Sequence, residues 1–135
     1  MRAVLDPNVI ISALLSPSGA PAAVLRAWEN GEFELVISSS LLDELARALA
    51  YPKLRRRITE EDAGSVLSWL TASGTLAADP ETDPPVRSPD PGDDSLVSLA
   101  ATATAVLVSG DEHLLSLHER IPVLAPRDFL ILLGS

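Results

Sequence analysis

Four acidic residues stand where apolar segments of this chain begin or end: Asp6, Glu44, Asp93 and Asp111. Asp6 closes the run Arg2-Ala-Val-Leu-Asp6, and Asp111 closes Ala105-Val-Leu-Val-Ser-Gly-Asp111. In an open α/β sheet the carboxyl ends of parallel strands meet at one edge, where ligands bind. Carboxylates gathered there repel one another unless a cation neutralises them, and hard oxygen ligands suit Mg²⁺ or Mn²⁺. Such an ion lowers the pKa of water and clamps a phosphate for in-line attack. Metal-dependent phosphate chemistry is the function these residues suggest.

Taken singly, each residue has an ordinary explanation. Asp6 precedes Pro7, and Asp-Pro is common in turns. Asn8, two residues on, either orients a ligand or closes that turn. Glu44 lies on a helical pattern whose buried stripe is Leu41, Leu42, Leu45 and Leu49, and it falls at the edge of that stripe, where it reaches a cleft or flanks the surface. Asp93 and Asp94 open a helix, where acidic residues suit the macrodipole. Asp93 shares a face with Leu96, Val97 and Ala100, so it is expected to point inward, and Asp94 to face solvent in a supporting role. Asp111 follows Ser109-Gly110 at a strand-to-helix turn, where Asp is a good N-cap. The four together, at one edge of an α/β sheet, outweigh these separate readings.

The elements that must position them alternate. Strands are expected at 2–6, 33–37, 75–78, 105–108 and 123–125. Helices are expected at 9–15, 20–28, 41–50, from 59–62 to 73, 93–103, 111–117 and 126–133. Residues 79–92 hold five Pro and no periodicity, and are expected to form a surface loop. Alternating strands and helices imply an α/β fold with a mainly parallel central sheet of about four or five strands and helices on both faces. At 135 residues the chain is expected to form a single domain, 1–135.

Composition narrows the chemistry. The absence of Cys excludes disulfides and Cys-ligated metal, and the two His, His113 and His118, are not at the i, i+4 spacing of a helical zinc pair. Both are expected at the surface or a helix end. No apolar run has the length of a membrane span, and Met1-Arg2-Ala3 runs directly into a strand. No membrane association and a cytoplasmic location are expected. The net charge of −9 disfavours nucleic acid, which rewards cations. A metal site accounts for part of that charge, and four of the ten cationic residues cluster as Lys53, Arg55, Arg56 and Arg57. That cluster reads either as a grip on RNA phosphates or as a solvated turn. Trp28, Phe33, Trp69 and Phe129 are scattered and read as core or interface residues, not as a base-stacking platform. Leu114, Leu115, Leu117 and the tail 129–133 are strongly apolar, and suit core or a protein contact.

The segments VLDPNVIISALL (4–15), SSSLLDELARAL (38–49), DPGDDSLVSLA (90–100) and LVSGDEHLL (107–115), in this order, resemble the PIN domain. The likeness is to its stand-alone bacterial (VapC-like) members, toxins of toxin–antitoxin pairs. The resemblance implies that Asp6, Glu44, Asp93 and Asp111 are the catalytic, metal-holding carboxylates, supported by Asn8, Asp94 and Ser109. It implies Mg²⁺- or Mn²⁺-dependent cleavage of single-stranded RNA, a cognate antitoxin partner and a homodimer.

Three features depart from the pattern. Pro7 stands where Thr or Ser is usual, and offers neither hydroxyl nor N–H. The link from Asp93 to Asp111 is one residue shorter, and it lacks the usual Gly before the strand. A catalytically weak or inactive metal-binding, RNA-binding or scaffold module is therefore the rival reading. A phosphotransfer domain of receiver or haloacid-dehalogenase type would want a second Asp at position 8 or a Lys after a late strand. The chain has Asn8, and its only Lys is Lys53.

Overall fold

The computed structural model describes residues 1–80, 84–87 and 93–134. Most of the expected loop at 79–92, and the first three residues of the segment 90–100, lie outside the described residues. The element order is β1 (Arg2–Leu5), α1 (Pro7–Leu15), α2 (Ala20–Glu29), β2 (Glu34–Ile37), α3 (Ser39–Leu49), α4 (Pro52–Arg55) and α5 (Glu60–Ser73). It continues with β3 (Thr75–Leu76), α6 (Asp94–Ala103), β4 (Val106–Val108), α7 (Glu112–Leu115), β5 (Val123–Leu124) and α8 (Pro126–Gly134). The five strands form one parallel sheet in the order β3-β2-β1-β4-β5.

That order follows from burial. Along β1, Ala3 and Leu5 enter one hydrophobic cluster and Val4 the other, so the strand is apolar on both faces. Both faces therefore need helices. Helices α1, α2, α5 and α8 cover the first, and α6 and α7 the second. Trp28 of α2 stacks at 4.5 Å on Trp69 of α5, and Phe33 meets Phe129 of α8 edge-on at 5.0 Å. These aromatic rings belong to the core, as their scatter suggested. At the other end of the sheet, Glu34 accepts from Arg2 Nε and Thr75 Oγ1, both at 2.8 Å, and ties three neighbouring strands together.

The expected elements are present, with shifted ends. α1 begins at Pro7, not at residue 9. Asp6 caps it, and Pro at the first helical position loses nothing by lacking an N–H. α4 is a single turn that no hydrophobic period announces. Thr59 caps α5 by accepting from the Asp62 N–H at 3.0 Å. α5 ends at Gly74, where an added Cβ would stand 2.6 Å from the Leu70 carbonyl oxygen and 2.9 Å from Ile37 Cδ1. The missing Gly before β4 leaves Thr104 as the C-cap of α6 at φ 54°, the left-handed conformation that Gly adopts without strain. Among the described residues no single helix is long and apolar enough to cross a membrane.

Candidate metal centre

From β1 the chain winds outward through β2 to β3, then returns to place β4 and β5 on the other side of β1. The order reverses between β1 and β4, and a crevice opens outside the carboxyl ends of strands at such a point. Asp6 follows β1 there, and Ser109-Gly110-Asp111 follows β4. The Asp6 N–H reaches the Val108 carbonyl at 2.9 Å and extends the pairing of the two strands to the site itself.

Asp6 is only 4% exposed, so its carboxylate depends on protein donors. Oδ1 accepts from the Asn8 N–H at 3.0 Å, and Oδ2 from Ser109 Oγ at 2.8 Å. The Asn8 backbone thus supplies a hydrogen bond that neither the side chain nor the nitrogen of Pro7 can give. Ser109 Oγ accepts in turn from the Asp111 N–H at 3.0 Å. One fully buried hydroxyl therefore links the carboxylate after β1 to the backbone after β4.

Asp111 caps α7 by accepting from the His113 N–H at 2.9 Å. Asp93 holds the N-cap position of α6, yet its side chain makes no capping bond there. Side-chain capping thus describes Asp6 and Asp111, and not Asp93. Asp93, Asp111 and His113 each bring one ligand atom to a cluster in which all lie within 4.8 Å of one another. Two carboxylate oxygens and an imidazole at that spacing fit a divalent cation.

Glu44 projects from α3 into a cleft that Ser38, Asp79 and Asp94 also line. Its carboxyl is pushed above the usual range, first by partial burial and then by the charge of Asp6, while Arg47 pulls it down. The two carboxylates thus feel each other, the repulsion that a cation would relieve. The end of α3 nearest the site is pinned by Asp79. Hydrogen bonds from the Ser38 and Ser40 hydroxyls and from the Ser40 N–H hold the Asp79 carboxyl below its usual range.

Two clefts flank this edge. One, about 390 Å³, is lined by Asp6, Asn8, Ser12 and Asp111. The other, about 260 Å³, is lined by Ser38, Ser40, Glu44, Asp79, Asp94 and Ser98.

Asp94 corrects an expectation. Its side chain is 16% exposed and pairs with Arg87 Nη1 at 2.9 Å. It lines the second cleft instead of facing solvent, and Arg87, which lies outside α6, holds it there. His113 was read only as a surface or helix-end residue. Its place two residues after Asp111, in the same helical turn, is the signal that joins it to the acidic cluster. Lys53, Arg55, Arg56 and Arg57 are not brought into that cluster. They follow the far end of α3, and Arg55 stands 3.6 Å from the well-exposed Glu60.

A family model described as the PIN domain matches residues 2–113. An uncharacterized protein of Methanocaldococcus jannaschii is 31% identical over 121 residues, covering 88% of this chain and 76% of that protein. In shape the chain is similar to a crystal structure of VapBC2 from Rickettsia felis bound to a DNA fragment from their promoter. The TM-score is 0.58 at 16% identity, over 93% of this chain and 98% of that one. The family match spans the edge from Asp6 to His113, and the chain belongs to the PIN domain family.

Proposed function

We propose that this chain is a divalent-metal-dependent endoribonuclease, the toxin of a toxin–antitoxin pair. The observation that carries the reading is the approach of Asp93 and Asp111 ligand atoms to within 4.8 Å, at an edge where burial first, and the charge of Asp6 second, push the Glu44 carboxyl up. When bound, Mg²⁺ or Mn²⁺ would polarise water and the scissile phosphate. Asp93 and Asp111 would hold the ion directly, with Asp6 and Glu44 completing the negative wall. Asn8 and Ser109 fix the Asp6 carboxylate, so it is already oriented before any ion arrives. Asp94 stays with Arg87 as a supporting residue. No protein nucleophile is required.

Single-stranded RNA is the proposed substrate, as membership of the PIN domain family suggests. Lys53, Arg55, Arg56 and Arg57 would meet only RNA that extends past the far end of α3. The likeness to a VapBC2 assembly supports a protein antitoxin as partner. The exposed Ile131 and Leu132 of α8 offer apolar surface for that partner or for a second copy.

The test is cleavage of a labelled single-stranded RNA with Mg²⁺ or Mn²⁺, beside EDTA and Asp6→Asn controls. Cutting that disappears in both controls supports the reading. A folded, metal-loaded chain that cuts none of several RNAs overturns it in favour of a binding module.

A further inference from the structure

The metal-dependent reading leaves open which ion the centre prefers, and His113 bears on that choice. Its backbone is locked, because its N–H caps onto Asp111 Oδ1 at 2.9 Å and its carbonyl accepts from Ser116 Oγ at 2.6 Å. Its ring is not committed in the same way. Nδ1 stands 3.6 Å from Asp111 Oδ1, beyond hydrogen-bond reach. Two ligands of one ion, each about 2.1 Å from it, stand from about 3 Å (adjacent) to about 4.2 Å (opposite) apart. The observed separation falls inside that interval. The side chain is 56% exposed, so an ion arriving from solvent meets the imidazole without a change in the core.

Resting on the metal-dependent reading above, we propose that His113 donates an imidazole nitrogen to the cation held by Asp93 and Asp111, and so biases this centre toward Mn²⁺ over Mg²⁺. Mg²⁺ keeps to oxygen ligands and water. Mn²⁺ stands at the weak end of the first-row series and shares that taste for oxygen, but as a transition ion it tolerates a nitrogen donor better than Mg²⁺ does. A centre built only of carboxylates has no such preference in its donor atoms. Here one of the three clustered ligands is nitrogen.

The experiment is pulsed electron paramagnetic resonance on the full chain loaded with MnCl₂, comparing wild type, His113→Gln and His118→Gln. The chain has only two His, so the assignment is clean. The expected result is a ¹⁴N coupling to Mn²⁺ in wild type and His118→Gln that is absent from His113→Gln. Mn²⁺ affinity should fall at least about tenfold in His113→Gln, the lower end of what disturbing a metal ligand's partners costs, and the preference over MgCl₂ in competition should fall with it.

Circular dichroism checks that each variant is folded, and a wild-type spectrum without ¹⁴N coupling overturns the proposal whatever the variants do. Bound Mn²⁺ without ¹⁴N coupling, or a coupling that survives His113→Gln, overturns the proposal and leaves the nuclease reading standing. Failure of the wild type to bind Mn²⁺ at all overturns both.

Discussion

Ser109 Oγ donates to Asp6 Oδ2 at 2.8 Å across a sequence separation of 103 residues. The same oxygen accepts from the Asp111 N–H, so Ser109 holds two of the carboxylate-bearing residues in register. Ser109→Ala should lower the unfolding free energy by about 1–3 kcal/mol, because a buried carboxylate loses a donor. Urea denaturation measures this, and Mn²⁺ affinity should fall with it. Unchanged stability would mean that the hydroxyl is not what holds Asp6.

Asp6→Asn should keep the fold. Asn caps helices as well as Asp does, and its amide oxygen can still accept from the Asn8 N–H. RNA cleavage should drop to the EDTA level and Mn²⁺ binding should weaken. Thermal unfolding and metal titration of the same sample separate the two roles. Collapse of the fold with no change in metal binding would contradict the assignment.

Glu44→Gln should raise the melting temperature of the metal-free protein at pH 7. The folded chain holds the Glu44 proton more tightly than the unfolded chain does. Stability from this group is therefore fully present below its unfolded pKa and is lost as pH rises through the raised folded value. A neutral Gln escapes that loss. The advantage of the variant should shrink as pH falls into the carboxylate range, and should also shrink when Mn²⁺ is added to both proteins. A pH series of melting curves tests it.

Thr104→Gly should stabilise the fold by about 0.5–1 kcal/mol, since relief of a left-handed non-glycine residue (about 1–2 kcal/mol) exceeds the extra chain entropy of Gly (about 0.5–1 kcal/mol). Chemical denaturation reads this directly. A loss of stability would show that the Thr104 side chain makes up for its backbone.

The sheet and the edge that carries the acidic residues were legible because both faces of β1 and β4 are buried. A strand of that kind writes an unbroken apolar run that ends where the chain turns. Asp6 and Asp111 follow such runs. What stayed illegible depends on contacts between distant segments. Helical spacing placed Asp94 toward solvent, but the residue that holds it is Arg87, outside α6. The single turn α4 is too short for any period to declare it. His113 was weighed against the spacing of a helical His pair, when its relevant neighbour was the carboxylate two positions before it. The Pro7 departure suggested a missing hydrogen bond, but the Asn8 N–H reaches Asp6 once Pro7 begins α1.

Because β1 lies at the centre of the sheet and β4 is added beside it late in the chain, the two halves of the centre are synthesised far apart in time. A ribosome that has released residues 1–80 has made Asp6 and Glu44, together with the partners of β1 on one side. It has made none of Asp93, Ser109, Asp111 or His113. The centre closes only when the β1–β4 pairing, a contact of long sequence separation, is complete. Any property that needs both halves therefore waits for β4, and fragments that stop short of it lack Ser109, Asp111 and His113.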